Sequence, residues 1–189
     1  MPKPKAKARK GRFAKAVGNP NDSRGLVAAM RRFLEHRGVI GNREATLYNL
    51  EASIRFFIEW ADARSVTHPE HVTRAVLERY QRWLYHYRKK DGMPLTIGTC
   101  RARIAPLKSF FKWLTRMGDI PANPASEIDM PRRALRLPRH VMTESEVERV
   151  LAGADTSTAI GLRDRAMMEV LYATGIRRME LSQLRILDV

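Results

Sequence analysis

The chain has 189 residues and a net charge of +15, with 35 lysines and arginines against 20 acidic side chains. Apolar residues make up 44% of it, close to the norm for globular domains, so the chain as a whole is not expected to be disordered. A single cysteine excludes an internal disulfide and a four-cysteine zinc site, and fits a cytoplasmic location. Apolar runs fall short of the ~18 residues of a membrane span, so no membrane partner is expected.

Positive charge is concentrated at the N-terminus. Seven cations lie within residues 1–15, and the first acidic residue is Asp22. Such a segment cannot bury enough apolar surface to offset the entropy lost on ordering, so residues 1–22 are predicted to form a disordered basic arm. Its charge favours contact with DNA phosphates, and a solubilising tail is the alternative.

Apolar residues at helical spacing predict four amphipathic helices within residues 23–118. Thr67 is expected to cap the third helix, which runs to about Lys90, and Thr96 the fourth, which runs to Met117. Pro106 lies inside the fourth pattern and should kink that helix or lower its stability. Four such helices with short connections predict a mainly α protein built on a small four-helix bundle.

The composition changes after the bundle. Residues 119–141 contain four prolines and four arginines, which predict an extended, basic linker. Helical signals return at Thr143, whose spacing to Glu146 is that of a capping box. Residues 142–189 then carry further apolar stripes of helical period and, at the end, some strand character.

Residues 161–181, GLRDRAMMEVLYATGIRRMEL, resemble the opening of the catalytic domain of tyrosine recombinases, the phage-integrase family that includes Xer-type recombinases. In that family a Leu-Arg-Asp helix leads into Tyr-(Ala/Ser)-Thr-Gly-(Leu/Ile)-Arg-x-x-Glu-Leu. Residues 46–50, TLYNL, and 107–114, LKSFFKWL, resemble the family's N-terminal core-binding domain. The resemblance covers residues 24–189 and implies a SAM-like four-helix core-binding bundle followed by the truncated helical start of a recombinase catalytic domain.

The resemblance also implies a chemistry, which is DNA integration and recombination by strand breakage and rejoining through a phosphotyrosine, without metal or cofactor. The family's first catalytic arginine aligns with Arg177, whose planar guanidinium can hold two oxygens of the scissile phosphate. Glu180 aligns with the acidic residue that orients this arginine. Taken without the resemblance, the same two residues form an ordinary surface pair three positions apart.

The family's later catalytic groups, including the tyrosine nucleophile, follow this arginine, whereas all five tyrosines of this chain precede Arg177. Roughly 50 residues after the linker are also few for a secure core. We therefore interpret the chain as a catalytically inactive N-terminal fragment of a site-specific tyrosine recombinase. The alternatives are a regulatory DNA-binding fragment, which occupies recombination sites or joins other recombinase protomers, and a helical interaction module without DNA chemistry.

Helical geometry selects polar residues on two helices as candidate contacts to double-stranded DNA. The family's core-binding domain places two helices along the duplex, which the resemblance carries over to the second and fourth helices here. The candidates are Thr46, Tyr48 and Arg55 on the second helix, and Arg101, Lys108 and Lys112 on one flank of the fourth, with Arg103 on the other flank. A merely solvated basic face is the alternative for each of them, and phosphate contacts should dominate.

Other chemistry finds little support in the sequence. His68 and His71 lack a third ligand and are expected to be polar surface. Cys100 lies on the apolar stripe of the fourth helix and is expected to be a buried small hydrophobe. Glycine-rich phosphate loops are absent, so ATP or dinucleotide use has no support. Together with the family resemblance, this leaves no cofactor, metal or small-molecule substrate expected.

Overall fold

Helices account for most of the protein. The computed structural model describes residues 16–132 and 141–185, and within these ranges there is no β-strand, which confirms the mainly α fold class. The chain divides into two compact units, Met1–Ala134 and Leu135–Val189. The arm prediction for residues 1–15, most of the arginine-rich half of the predicted linker and the strand character after residue 185 concern residues outside those described.

The first unit is built from four helices, each with an apolar stripe turned inward. They are α1 (Leu26–Val39), α2 (Glu44–Asp62), α3 (Arg74–His86) and α4 (Ile97–Arg116). Helix α2 packs against α1 and α4, and α4 also packs against α1 and α3. The bundle that the stripes predict is therefore present, and α2 and α4 lie side by side within it.

Aromatic side chains fill the centre of this bundle. Phe57 is fully buried, and its ring meets Tyr80 at 5.1 Å and Phe111 at 6.0 Å in edge-on geometry. Phe33 meets Phe110 edge-on at 5.4 Å. Such pairs are each worth about 0.5–1.5 kcal/mol beyond the area they bury, so the core fixes the relative positions of all four helices.

The borders of the third helix differ from the prediction. Pro69–His71 form a separate 3-10 turn, and α3 begins after Thr73, whose hydroxyl accepts a hydrogen bond from the N–H of Val76. The Thr67 hydroxyl pairs with the His68 ring instead. The helix ends at His86 and not at Lys90, because the chain turns back there and residues 88 and 94 pair as a β-bridge.

Helix α4 continues through Pro106, and the contact between helices explains how. Proline has no N–H to donate to the carbonyl four residues earlier, which here is that of Ala102. The hydroxyl of Ser53, from α2, donates to this carbonyl at 3.3 Å. The carbonyl thus keeps a partner, and the same hydrogen bond ties α4 to α2.

Two segments that the sequence places outside the bundle are packed against it. Residues 119–131, here called the strap, were expected to be an extended linker, yet Ile120, Ala125 and Ile128 are buried in the core of the first unit. Residues 16–22 fall within the predicted disordered arm, yet Val17 packs against the same core. The few apolar residues of both segments are thus buried or partly buried because they pack against the core of the bundle.

The second unit contains α5 (Glu144–Ala152), α6 (Ala159–Thr174) and α7 (Arg178–Leu181). The predicted capping box at Thr143 and Glu146 is present, and Gly175 ends α6 in the left-handed conformation with φ of 63°. Packing differs from the expectation. Val147 is buried, whereas five other apolar residues predicted to point inward are exposed: Val150, Leu162, Met167, Met179 and Leu184. The stripes therefore form helices here without closing a core among residues 141–185.

Candidate nucleic-acid interface

A groove runs between α2 and α4 on the first unit. It encloses about 600 Å³, and its walls include three of the predicted DNA-contact residues, Thr46, Arg55 and Arg103. Small side chains at Ala52, Ser53 and Ala102 line its floor, where the two helices approach closely. The groove therefore lies along the contact between α2 and α4, where the Ser53 hydroxyl donates to the Ala102 carbonyl.

Arg103 is held in this groove by two contacts from α2. Its guanidinium Nη1 donates to the carbonyl oxygen of Ala52 at 3.2 Å, and its Cζ lies 4.1 Å from the centre of the Phe56 ring. The stacked ring and the carbonyl hold the guanidinium plane in one orientation. Phe56 thus positions Arg103, a contact that the spacing of residues along one helix could not indicate because its partner lies on another helix.

The other residues predicted on α2 have different settings. Thr46 is exposed near the start of the helix, and Tyr48 is half-buried and lies outside the groove lining. Arg55 is half-buried, with its Nη1 atom 3.8 Å from a carboxylate oxygen of Glu51 one turn earlier. The groove therefore combines two arginines with polar and apolar side chains, and Glu59 is an acidic residue of its lining.

On the predicted basic flank of α4, Arg101 and Lys108 form hydrogen bonds to the strap. Arg101 donates to the carbonyl of Pro131 at 2.6 Å, and Lys108 donates to the carbonyl of Ile128 at 2.9 Å. Gln81 of α3 donates to the carbonyl of Asp129 at 2.8 Å. Arg101 and Lys108 thus hold the strap on the bundle, a role that their helical spacing did not indicate. Lys112, about one turn before the end of α4, is exposed.

Arg177 and Glu180 lie in the second unit and contact each other. The Arg177 N–H donates to one carboxylate oxygen of Glu180 at 2.8 Å, and its guanidinium donates to the other at 3.0 Å. Arg177 immediately precedes α7, so the pair closes the start of that helix rather than lying along it. The Arg177 side chain is 86% exposed, which leaves its remaining N–H groups open to an anion.

The described residues hold no group of three or more His, Cys, Asp or Glu side chains that would bind a metal ion. His68 instead places its Nε2 atom 3.1 Å from the Asp22 carboxylate. Cys100 is buried on α4, as predicted, and burial raises the pKa of its thiol. Across residues 16–132 and 141–185, no helix is long and apolar enough to cross a membrane.

Comparisons with known proteins agree on one family. The model of the phage integrase family matches residues 140–189. Tyrosine recombinase XerC 2 of Ralstonia nicotianae is 50% identical over 164 residues, which are 87% of this chain and 47% of that protein. Tyrosine recombinase XerD of Listeria monocytogenes is 34% identical over 154 residues, 81% of this chain and 48% of that protein. The chain thus spans about half the length of the curated relatives it matches.

A solved structure is similar as well. It is the N-terminal domain of a phage integrase/site-specific recombinase from Haloarcula marismortui, with a TM-score of 0.49 and 20% sequence identity. The match covers 57% of this chain and 96% of that one.

Proposed function

The chain belongs to the tyrosine recombinase family, and on that basis we propose that it binds double-stranded DNA through the α2–α4 groove. The observation that carries the proposal is the fixed guanidinium of Arg103, held by Phe56 and the Ala52 carbonyl. A preoriented planar cation loses little side-chain entropy when it pairs with a phosphate. Arg55 and Thr46 on the opposite wall supply a second cation and a hydroxyl donor.

Within this proposal the first unit is the DNA-binding core domain, and residues 142–189 belong to the catalytic domain. Arg177 is the phosphate-binding arginine of that domain, and Glu180 orients it. The contact at 3.0 Å supports this assignment, since the carboxylate fixes one edge of the guanidinium while other N–H groups stay available for phosphate oxygens.

We further propose that the 189-residue chain by itself occupies DNA without cutting it. Phosphodiester cleavage by this family's route needs a tyrosine hydroxyl in line with the phosphorus, and no tyrosine follows Arg177 in the sequence. In this proposal the chain contributes DNA binding alone. Strand exchange would require further catalytic groups or further protomers.

A mobility-shift titration of duplex DNA at several salt concentrations tests the binding proposal. Each phosphate contact contributes about −0.9 to the slope of log affinity against log salt, so Arg55→Gln should make that slope less negative by about 1. Arg82→Gln is the charge-matched control, because Arg82 lies on α3 beside a different pocket. Absence of binding at low salt, or equal slopes for the two variants, contradicts the proposal.

A further inference from the structure

A neutral amide lies beside the two arginines of the α2–α4 groove. Asn49 lines this groove together with Thr46, Arg55 and Arg103, and it is exposed. Within residues 16–132 and 141–185, its side-chain amide has no hydrogen-bond partner. Asn49 therefore presents N–H donors and a carbonyl acceptor to whatever occupies the groove.

The stability of the free protein gives no reason for an asparagine at this position. Asn49 is the sixth residue of α2, beyond the position at which asparagine caps a helix. In a helix interior asparagine is less favourable than alanine, because its side chain competes for backbone hydrogen bonds in non-helical conformations. An exposed asparagine without a partner lowers the stability of α2 slightly, so a partner outside the chain explains it better.

Two other uncharged polar side chains line the groove, and neither is suited to distinguish one base from another. The Ser53 hydroxyl already donates to the Ala102 carbonyl. The Thr46 hydroxyl is exposed, but a hydroxyl pairs with several bases. The amide of Asn49 carries a donor and an acceptor side by side in one plane. This arrangement matches the N7 acceptor and N6 donor that adenine presents in the major groove.

Asn49 also lies close to the arginine that we propose for phosphate binding. Positions 49 and 52 are neighbours on one face of α2, about 4.5 Å apart along the helix axis. Arg103 donates to the carbonyl of Ala52 at 3.2 Å. Phosphates of one DNA strand follow each other at about 3.4 Å along the duplex axis. A phosphate bound by Arg103 and a base bound by Asn49 therefore fit neighbouring nucleotides.

We propose that Asn49 is a specificity-determining residue, which binds the N6 and N7 groups of one adenine in the major groove of the bound duplex. This inference rests on the proposed DNA binding by the groove. Phosphate contacts from Arg55 and Arg103 position the duplex without reading its sequence, and Asn49 supplies a contact that depends on the base.

Selection of duplexes from a random pool, followed by the change of a single atom in the base, tests this role. The 189-residue chain selects from duplexes with a randomised central segment, and Asn49→Ala is put through the same selection. The selected duplex is then made with 7-deazaadenine, which lacks the N7 acceptor, at each adenine in turn. Asn21→Ala is the matched control, because Asn21 is an exposed asparagine outside the groove lining.

We expect the unaltered chain to select adenine at one position, and Asn49→Ala to lose that preference alone. Asn49→Ala should bind the selected duplex at least about fivefold more weakly, the effect of one lost bidentate base contact, and a scrambled duplex equally well. Its salt slope should stay the same, because no phosphate contact is lost. At the selected position, 7-deazaadenine should weaken binding by the unaltered chain and not by Asn49→Ala.

Three results overturn the role of Asn49. They are an adenine preference that Asn49→Ala retains or that Asn21→Ala loses equally, a selection by the unaltered chain that enriches no adenine, and a lower urea midpoint for Asn49→Ala, which would indicate a structural role. Failure of the unaltered chain to bind any duplex at low salt overturns the proposed function itself.

Discussion

Replacing Ile128 by alanine tests whether the strap is a structural part of the first unit. Ile128 is 6% exposed and packs with Leu77, Tyr80 and Leu107 around a small void. The substitution removes three carbons at about 0.8 kcal/mol each. Because the strap is held by Lys108 and cannot collapse freely, a cavity contribution is added, and we expect a loss of about 3 kcal/mol in the free energy of unfolding.

Urea unfolding followed by tryptophan fluorescence measures this loss in the right unit, because all three tryptophans precede residue 114. The midpoint should fall while the slope m stays unchanged. Ile40→Ala is the matched control, since Ile40 is 54% exposed at the end of α1 and should change the free energy by less than about 0.5 kcal/mol. If Ile128→Ala behaves like this control, residues 119–131 are the extended linker that their prolines predict.

Gly161→Ala should lower the helical circular dichroism signal and leave the fluorescence transition unchanged, because a Cβ there would lie 1.9 Å from the Asp155 carbonyl oxygen. Gly98→Ala is the control and should not lower the signal, because its Cβ would meet only Thr96 Oγ1, at an ordinary contact distance of 3.8 Å. Burial raises the pKa of Tyr80, so folding stability should fall as pH rises above about 10, and Tyr80→Phe should reduce that alkaline loss in urea midpoints. A nicked or suicide substrate should yield no covalent adduct with the 189-residue chain, because no tyrosine follows Arg177; a protease-sensitive shifted band on a denaturing gel contradicts this.

Sequence periodicity was a good guide wherever one helix face decides burial. The fourth helix, predicted to run to Met117, ends at Arg116, and the threonine before it caps it as expected. The start of α3 was wrong because two threonines precede it, at positions 67 and 73, and each satisfies the local rule for a cap. Pro69 can open a helix or a 3-10 turn equally well, so only tertiary packing selects Thr73.

Composition did not predict the burial of the strap, where a few apolar residues are scattered among prolines. Ile120, Ala125 and Ile128 show no helical or strand period, and a local window around them indicates a linker. Their burial depends on the surface that α3 and α4 present, which no window of the strap contains. The converse holds in the second unit, where the stripe of α6 predicts burial that residues 141–185 do not supply. Periodicity thus specifies an apolar face but not what covers it.

The functional roles of the basic residues on α4 depend on this same tertiary information. Arg101, Arg103 and Lys108 share one helix and one charge, and helical spacing assigns all of them to DNA. Arg101 and Lys108 donate hydrogen bonds to carbonyl groups of the strap. Arg103 is instead oriented in the groove by the Phe56 ring and the Ala52 carbonyl of α2. Arg101 and Lys108 would lose their hydrogen bonds to the strap carbonyls if they moved to a phosphate, whereas Arg103 already lines the groove. The net contribution of Arg101 and Lys108 to DNA affinity is therefore smaller. Within α4, the groove side should therefore contribute more to DNA affinity than the strap side.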